Sequence, residues 1–261
     1  MKRPIIGVVH LLPLPGAPLF RGGLGAVRNR ALSDGFALAK GGVDAIIVEN
    51  YGDVPFTAEG VEPHVGTIMA VIASEIRSRT KKPVGVNVLR NDARTAIAVA
   101  VAAGADFIRV NVHSGVMQTD QGVIAGRAGA TLRYRRQLDA TVKIYADVLV
   151  KHAIGNEAAI KQIARDTKRR GLADVLLVTG TETGDAPEPA RVRTVKDAVP
   201  EAPVYVASGV TAGNIGDFDA ADGFIVGTGF KRGGVTSNEV DVKRVAALVR
   251  VQRSTENRPP K

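Results

Sequence analysis

The chain has 261 residues, 45% of them hydrophobic, so it can bury a sizeable core; it has no cysteine, which excludes disulfides and thiolate chemistry and fits a cytoplasmic location. A formal net charge of +9 favours acidic ligands or surfaces. With no Trp, seven Phe and four Tyr it offers no base-stacking platform, and no nucleic-acid partner is expected.

The first apolar run, 5–10, is too broken by Pro4, His10, Pro13 and Pro15 for a signal peptide and predicts a strand and loop. Loop 11–23 leads to a helix over 24–40 and a strand over 44–49. A helix over 64–79, a strand over 84–89, a helix over 92–103 and a strand over 106–112 follow. After a second long loop, 113–127, come helix 128–139, strand 143–149, helix 156–170 and strand 174–179. The chain closes with helix 188–198, strand 203–208, a short helix over 211–217, strand 222–227 and helix 239–253. The strands are rich in Val and Ile without sustained polar alternation, as suits strands buried on both faces of a parallel sheet. No stretch reaches the ~18 apolar residues of a membrane helix.

One phrase recurs: Gly-Gly-Val-Asp-Ala at 41–45, Ala-Gly-Ala-Asp-Phe at 103–107, Gly-Leu-Ala-Asp-Val at 171–175 and Ala-Ala-Asp-Gly-Phe at 220–224. A small residue ends a helix and Asp opens the next strand. Eight such βα units predict an α/β fold, a single (β/α)₈ TIM barrel over 1–253 with a frayed tail over 254–261. A doubly wound open sheet is the alternative. The basic clusters Arg133, Arg135, Arg136 and Lys168, Arg169, Arg170 fall on helices, where solvated faces are expected; an anionic partner or membrane surface is the other reading.

In a barrel, strand ends share one mouth, where active sites are built. Here those ends carry His10, Glu49, Asn50, Asn87, Arg90, Asp92, Arg109, Asn111, Asp147, Lys151, His152 and Thr179. Side chains alternate in and out along a strand, so Asn87, Arg109, Asn111 and Asp147 form a polar ring when they point inward. Such a ring is costly unless paired or in contact with a ligand. An Arg109–Asp147 or Arg109–Glu49 salt bridge that only holds the barrel top is the structural alternative. Glu49, Asp147, His10 and His152, with Asp120 on the loop, are the acid/base candidates. Lys151 is also a Schiff-base candidate, although it sits past its strand end.

Glycine turns follow the seventh and eighth strands: Ser208-Gly209 before Thr211, and Gly227-Thr228-Gly229. Phosphate-binding barrels use those two loops, because glycine admits the ligand to the backbone N–H groups. Lys231 would add charge. No Cys/His metal set, P-loop or nucleophile elbow is present, and no cofactor or metal is expected.

Gly7-Val-Val-His10, Pro13-Leu-Pro-Gly16, the run from Gly42 to Asn50, the run from Pro83 to Asp92, Phe107-Ile-Arg-Val-Asn111, Thr119-Asp-Gln-Gly122, Val150-Lys-His152 and the run from Ala221 to Thr228 resemble the BtpA/SgcQ family. The resemblance spans nearly all of 5–250, departing at Ala153-Ile-Gly-Asn, where a more proline-rich segment is expected. It implies a fold similar to phosphate-binding TIM barrels. Two roles are open: the strand-end residues and glycine turns point to an enzyme acting on a phosphorylated sugar or phosphoribosyl-type metabolite, and the resemblance implies the alternative of a non-catalytic biogenesis factor at a membrane complex. A small phosphorylated metabolite and a homo-oligomeric partner are expected, with loop 113–127 closing over the ligand on Gly115, Gly122 and Gly126.

Overall fold

The computed structural model describes residues 3–58 and 60–256. In chain order its strands are β1 (Ile5–His10), β2 (Ala45–Glu49), β3 (Val84–Asn87), β4 (Phe107–Val110), β5 (Val116–Thr119), β6 (Gly122–Ala125), β7 (Lys143–Asp147), β8 (Ala153–Ile154), β9 (Val175–Val178), β10 (Val204–Val206) and β11 (Gly223–Val226). The helices are α1 (Gly23–Gly41), α2 (Pro63–Thr80), α3 (Ala93–Ala103), α4 (Ala128–Gln137), α5 (Ile160–Arg165), α6 (Pro189–Ala198) and α7 (Val242–Glu256). Eight strands close a parallel barrel in the order β1-β11-β10-β9-β7-β4-β3-β2. Pairing of β11 back to β1 excludes the open sheet.

The barrel interior is layered. Near the strand starts, Phe107 stacks on Tyr145 at 4.5 Å between ring centroids, and Tyr205 meets Tyr145 edge-on at 5.8 Å. Two glycines make room for them. A Cβ at Gly85 would lie 2.1 Å from the Phe107 ring, and one at Gly223 would lie 2.7 Å from Tyr205. Val8, Ile47, Leu177 and Ile225 pack with them in the same interior cluster. At the strand ends the lining turns polar, with Glu49, Asn87, Arg109 and Asp147 all buried.

The recurring Asp has a structural task. Asp44, Asp106, Asp174 and Asp222 each accept a backbone N–H at the start of the preceding barrel strand: Ile5, Val84, Ile144 and Val204, at 2.7–2.9 Å. Each latch joins one strand to the next in chain order, so the barrel floor is tied as four strand pairs. Three of the aspartates also pair with a basic residue of the helix before the pair: Arg77 with Asp106, Arg135 with Asp174 and Lys196 with Asp222.

The structure departs from the sequence reading at several places. Loop 113–127 contains the hairpin β5–β6, and β8 pairs with β5 to make a three-stranded antiparallel sheet beside the mouth. The segment that departs from the family pattern, Ala153-Ile154, is that third strand. The helix expected over 211–217 shrinks to a 3₁₀ turn at Ile215–Asp217. Asn214 is the reason: its Oδ1 accepts the Thr211 N–H and its Nδ2 donates to the Gly209 carbonyl, which closes a turn instead. Helix 156–170 is built of a 3₁₀ turn, α5 and a π turn. α7 continues to Glu256, so the tail expected from 254 begins as helix; residues 257–261 lie outside the described residues.

Candidate ligand site at the barrel mouth

Strand alternation brings the expected ring together. Arg109 Nη2 lies 3.2 Å from Asp147 Oδ1 and 3.1 Å from Oδ2, and Nε lies 3.3 Å from Oδ2. Arg109 Nη1 donates to Glu49 Oε1 at 3.3 Å. Asn111 Nδ2 donates to Asp147 Oδ2 at 2.7 Å, and Asn87 Nδ2 donates to Asn111 Oδ1 at 3.1 Å. Burial works against the charge of Arg109, but Asp147 and Glu49 outweigh it and raise the guanidinium above its ordinary range. Two oxygens of the ring stand apart. Asn87 Oδ1 is buried without a partner, and Glu49 Oε2 accepts no hydrogen bond among the described residues.

Above the ring lies a cavity of about 230 Å³. Glu49, Asn87, Arg109 and Asn111 line it, as do the apolar Tyr51, Val54 and Phe56 and the polar Arg90, Asp120, Lys151, His152 and Thr183. Asp147 is not part of the lining; it lies under Arg109. Tyr51, Val54 and Phe56 are lining residues that strand-end reasoning missed. Their signal was the loop between β2 and α2, residues 50–62, as long as loop 11–23. A larger depression of about 880 Å³ opens at the other end of the barrel, among strand starts such as Ile6, Ala45 and Phe107. Its Arg77 and Asp106 pair with each other, so the mouth is the stronger site.

Lys151 and Arg90 shape the cavity's charge. Burial, and then the neighbouring Arg109, lower the Lys151 amine to about 8. Its backbone N–H is anchored by Thr179 Oγ1 at 3.0 Å, which makes Thr179 a positioning residue. Arg90 donates from Nη2 to the Lys151 carbonyl at 2.6 Å, while its Nε is buried with no partner. His152 Nε2 accepts the Thr183 N–H at 3.1 Å, so that nitrogen carries no proton; burial, then Lys151 and Arg90, lower its pKa. Asp120 sits at the hairpin tip between β5 and β6 and bonds Gln121. His10 is packed on Tyr51 at 4.7 Å, with Nδ1 buried and unpartnered. Burial, then Lys231 and Lys151, hold it well below its ordinary pKa, so it is neutral at pH 7.

The two glycine turns adjoin the mouth, but each glycine answers to a neighbour. A Cβ at Gly209 (φ +66°) would come within 2.0 Å of the Ala186 nitrogen, one at Gly227 within 2.8 Å of the His10 ring, and one at Gly229 within 2.4 Å of the Val210 carbonyl. The Ser208 hydroxyl accepts the Gly180 N–H at 2.8 Å and donates to the Asp185 carbonyl at 2.6 Å. Thr228 Oγ1 lies 2.9 Å from Thr236 Oγ1. Lys231 corrects the expectation most clearly. It is wholly buried and paired with Asp34 of α1 at 2.7 Å, so its ammonium is not offered to a ligand at the turns.

Two further residues read as ligand contacts lie outside the lining of this cavity and bond the backbone. Asn50 clamps Leu89, accepting its N–H at 2.7 Å, and Asp92 caps α3 through the Thr95 N–H while also accepting that of Val61. In the basic clusters, Arg135, Arg136 and Arg169 pair with Asp174, Asp139 and Glu201. Among the described residues no group of three or more His, Cys, Asp or Glu is placed to hold a metal.

The chain matches the model of the BtpA family over residues 1–254. It is 47% identical over 249 residues to the photosystem I biogenesis protein BtpA of Synechocystis, covering 94% of this chain and 86% of that protein. An uncharacterized protein of Thermococcus kodakarensis is 44% identical, covering 95% and 94%. Among solved structures, N-(5'-phosphoribosyl)anthranilate isomerase from Pyrococcus furiosus superposes with a TM-score of 0.59 at 15% identity, covering 97% of this chain and all of that one, a likeness of fold alone. The family match over nearly the whole chain and the long identities to these relatives show that the chain belongs to the BtpA family.

Proposed function

We propose that the barrel mouth binds a phosphorylated sugar or phosphoribosyl-type metabolite and transforms it by acid/base chemistry. The cavity over the buried Glu49–Arg109–Asp147 ring carries this reading. A scaffold has no need of three charges buried at a cavity, where apolar residues would hold the barrel as well. Glu49 lines the cavity with Oε2 unengaged, so it is the group we assign to move a proton. Arg109, Asn87 and Asn111 would fix hydroxyls or stabilise an enediolate or leaving group, and Asp147 would orient Arg109. Isomerisation, aldol-type cleavage and glycosidic cleavage share these requirements. The phosphate would rest on backbone N–H groups at Gly209 and Gly227–Gly229, beside Thr228. The phosphoribosyl substrate in the name of the structurally similar isomerase is consistent with this choice. A cytoplasmic homo-oligomer without a cofactor belongs to the same proposal.

A thermal-shift screen of sugar phosphates tests it. Gly227→Asp would collide with His10 whatever binds there, so Thr228→Glu is the informative variant. Stabilisation of the wild type that Thr228→Glu removes supports the reading; no shift with any sugar phosphate sinks it.

A second reading rests on the 47% identical relative named for photosystem I biogenesis: a non-catalytic assembly factor at a membrane complex. No helix among the described residues is long and apolar enough to cross a membrane, so such contact would be peripheral. Co-sedimentation with anionic vesicles, together with no sugar-phosphate response, would favour this role.

A further inference from the structure

We propose that Arg90 and Lys151 form a second anion subsite, which takes a carboxylate at the end of the ligand remote from its phosphate. The inference deepens the reading of the mouth as a ligand site and rests on it. Both residues line the cavity, and Arg90 is only 4% exposed. Among the described residues neither lies within 4.0 Å of a carboxylate oxygen, whereas Arg109 beneath them holds two carboxylates. Arg90 uses Nη2 on the Lys151 carbonyl, and that bond draws the Lys151 backbone to it. Its Nε is buried and unpartnered. Asp147, Asp120 and Glu49 act on Arg90, and Glu49 and Asp147 on Lys151, only from a distance. A buried cation with no carboxylate in contact is costly, so a pair of them at a cavity points to an anion from outside the chain.

Size and place narrow that anion. One edge of a guanidinium beside an ammonium suits a flat carboxylate. Arg90 follows β3, and in the closed barrel order β3 stands directly opposite β10, whose end carries the glycine turn of the proposed phosphate side. The two subsites therefore face each other across the mouth. The substrate class is a phosphorylated acid, such as a sugar acid with its carboxylate and phosphate at opposite ends, and not a neutral sugar phosphate.

Oxalate and inorganic phosphate, used as separate probes on the full chain, test this. Two responses are read: the thermal midpoint, and the rate at which an amine-directed reagent acylates Lys151 at pH 8, followed by peptide mass spectrometry. At ten times its Kd, oxalate should raise the midpoint and slow acylation by about tenfold. Arg90→Gln should remove both effects, Arg90→Lys should restore part of them, and Lys151→Met should remove the thermal response. Thr228→Glu should leave the oxalate response intact and remove the response to phosphate. No oxalate response in the wild type, or one that survives Arg90→Gln and Lys151→Met, overturns the subsite. An oxalate response that depends on Arg90, alongside a phosphate response indifferent to Thr228→Glu, upholds the subsite and counts against the phosphate site instead.

Discussion

Arg109 holds Asp147 through both carboxylate oxygens, at 3.1–3.3 Å, but holds Glu49 through Oε1 alone, at 3.3 Å. The two acids therefore differ in what their loss should do. Asp147→Ala leaves a buried guanidinium with half its partners and should cost about 3–5 kcal/mol. Glu49→Gln keeps an oxygen for Arg109 and should cost about 1 kcal/mol, while abolishing turnover of whatever substrate is found. Denaturant unfolding of the two variants separates these outcomes; equal losses of stability would contradict the division of roles.

Lys151 should leave a signature in the pH dependence of stability. The folded chain releases the Lys151 proton at about pH 8, whereas the unfolded chain keeps it to its ordinary 10.5. Between those values the unfolded state binds more protons, so this residue's contribution to stability rises with pH across that window. Below pH 8 the buried ammonium is a constant burden. Lys151→Met should be more stable than the wild type at pH 7, and the difference should narrow from pH 8 to 10.5. Urea melts of the two proteins at several pH values check the trend; a difference that widens with pH would refute it.

Two glycines make a contrast in packing. Gly209 has φ +66° and the Ala186 backbone against it, so Gly209→Ala should cost about 2 kcal/mol or more. Gly25 lies in α1 with nothing within 4 Å of a built Cβ, so Gly25→Ala should stabilise by about 0.5–1 kcal/mol. Thermal midpoints that move in opposite directions would bear out both.

Much of this architecture was legible in the sequence because it depends on local pattern. Val- and Ile-rich runs mark buried parallel strands, and alternation alone places Arg109 on the face of Asn111 and Tyr145 on that of Asp147. What escaped depends on distant partners. Lys231 reads as a free cation in a glycine turn until Asp34, 197 residues away, is seen beside it. Ser208 reads as a phosphate ligand until Gly180 and Asp185 occupy its hydroxyl. Tyr51 and Phe56 reach the cavity because their loop packs on another: a Cβ at Gly52 would lie 2.4 Å from the Pro13 nitrogen. The β5–β6 hairpin was hidden because its strands are only four residues each and leave Val116 and Val123 exposed, which mutes the apolar signal.

The aspartate latches give a graded test. Asp174→Ala removes the acceptor for the Ile144 N–H and the partner of Arg135, and should cost about 1–2 kcal/mol. Asp174→Asn retains an acceptor oxygen and should cost less. Equilibrium unfolding in urea reads both, and equal costs would show that charge, not the backbone bond, is what matters there.

Those latches bind strands only within a pair, and among the described residues no aspartate latch of this kind spans a seam between pairs. The mouth supplies what the floor omits. Asn50 reaches across to Leu89 and Glu49 to Arg109, Arg109 crosses to Asp147, Ser208 crosses to Gly180, and Gly227 receives the His10 ring where the barrel closes. The residues of the mouth are thus also the clasps that join four parallel strand pairs into one ring, so drift at that end would loosen the molecule along the seams between pairs.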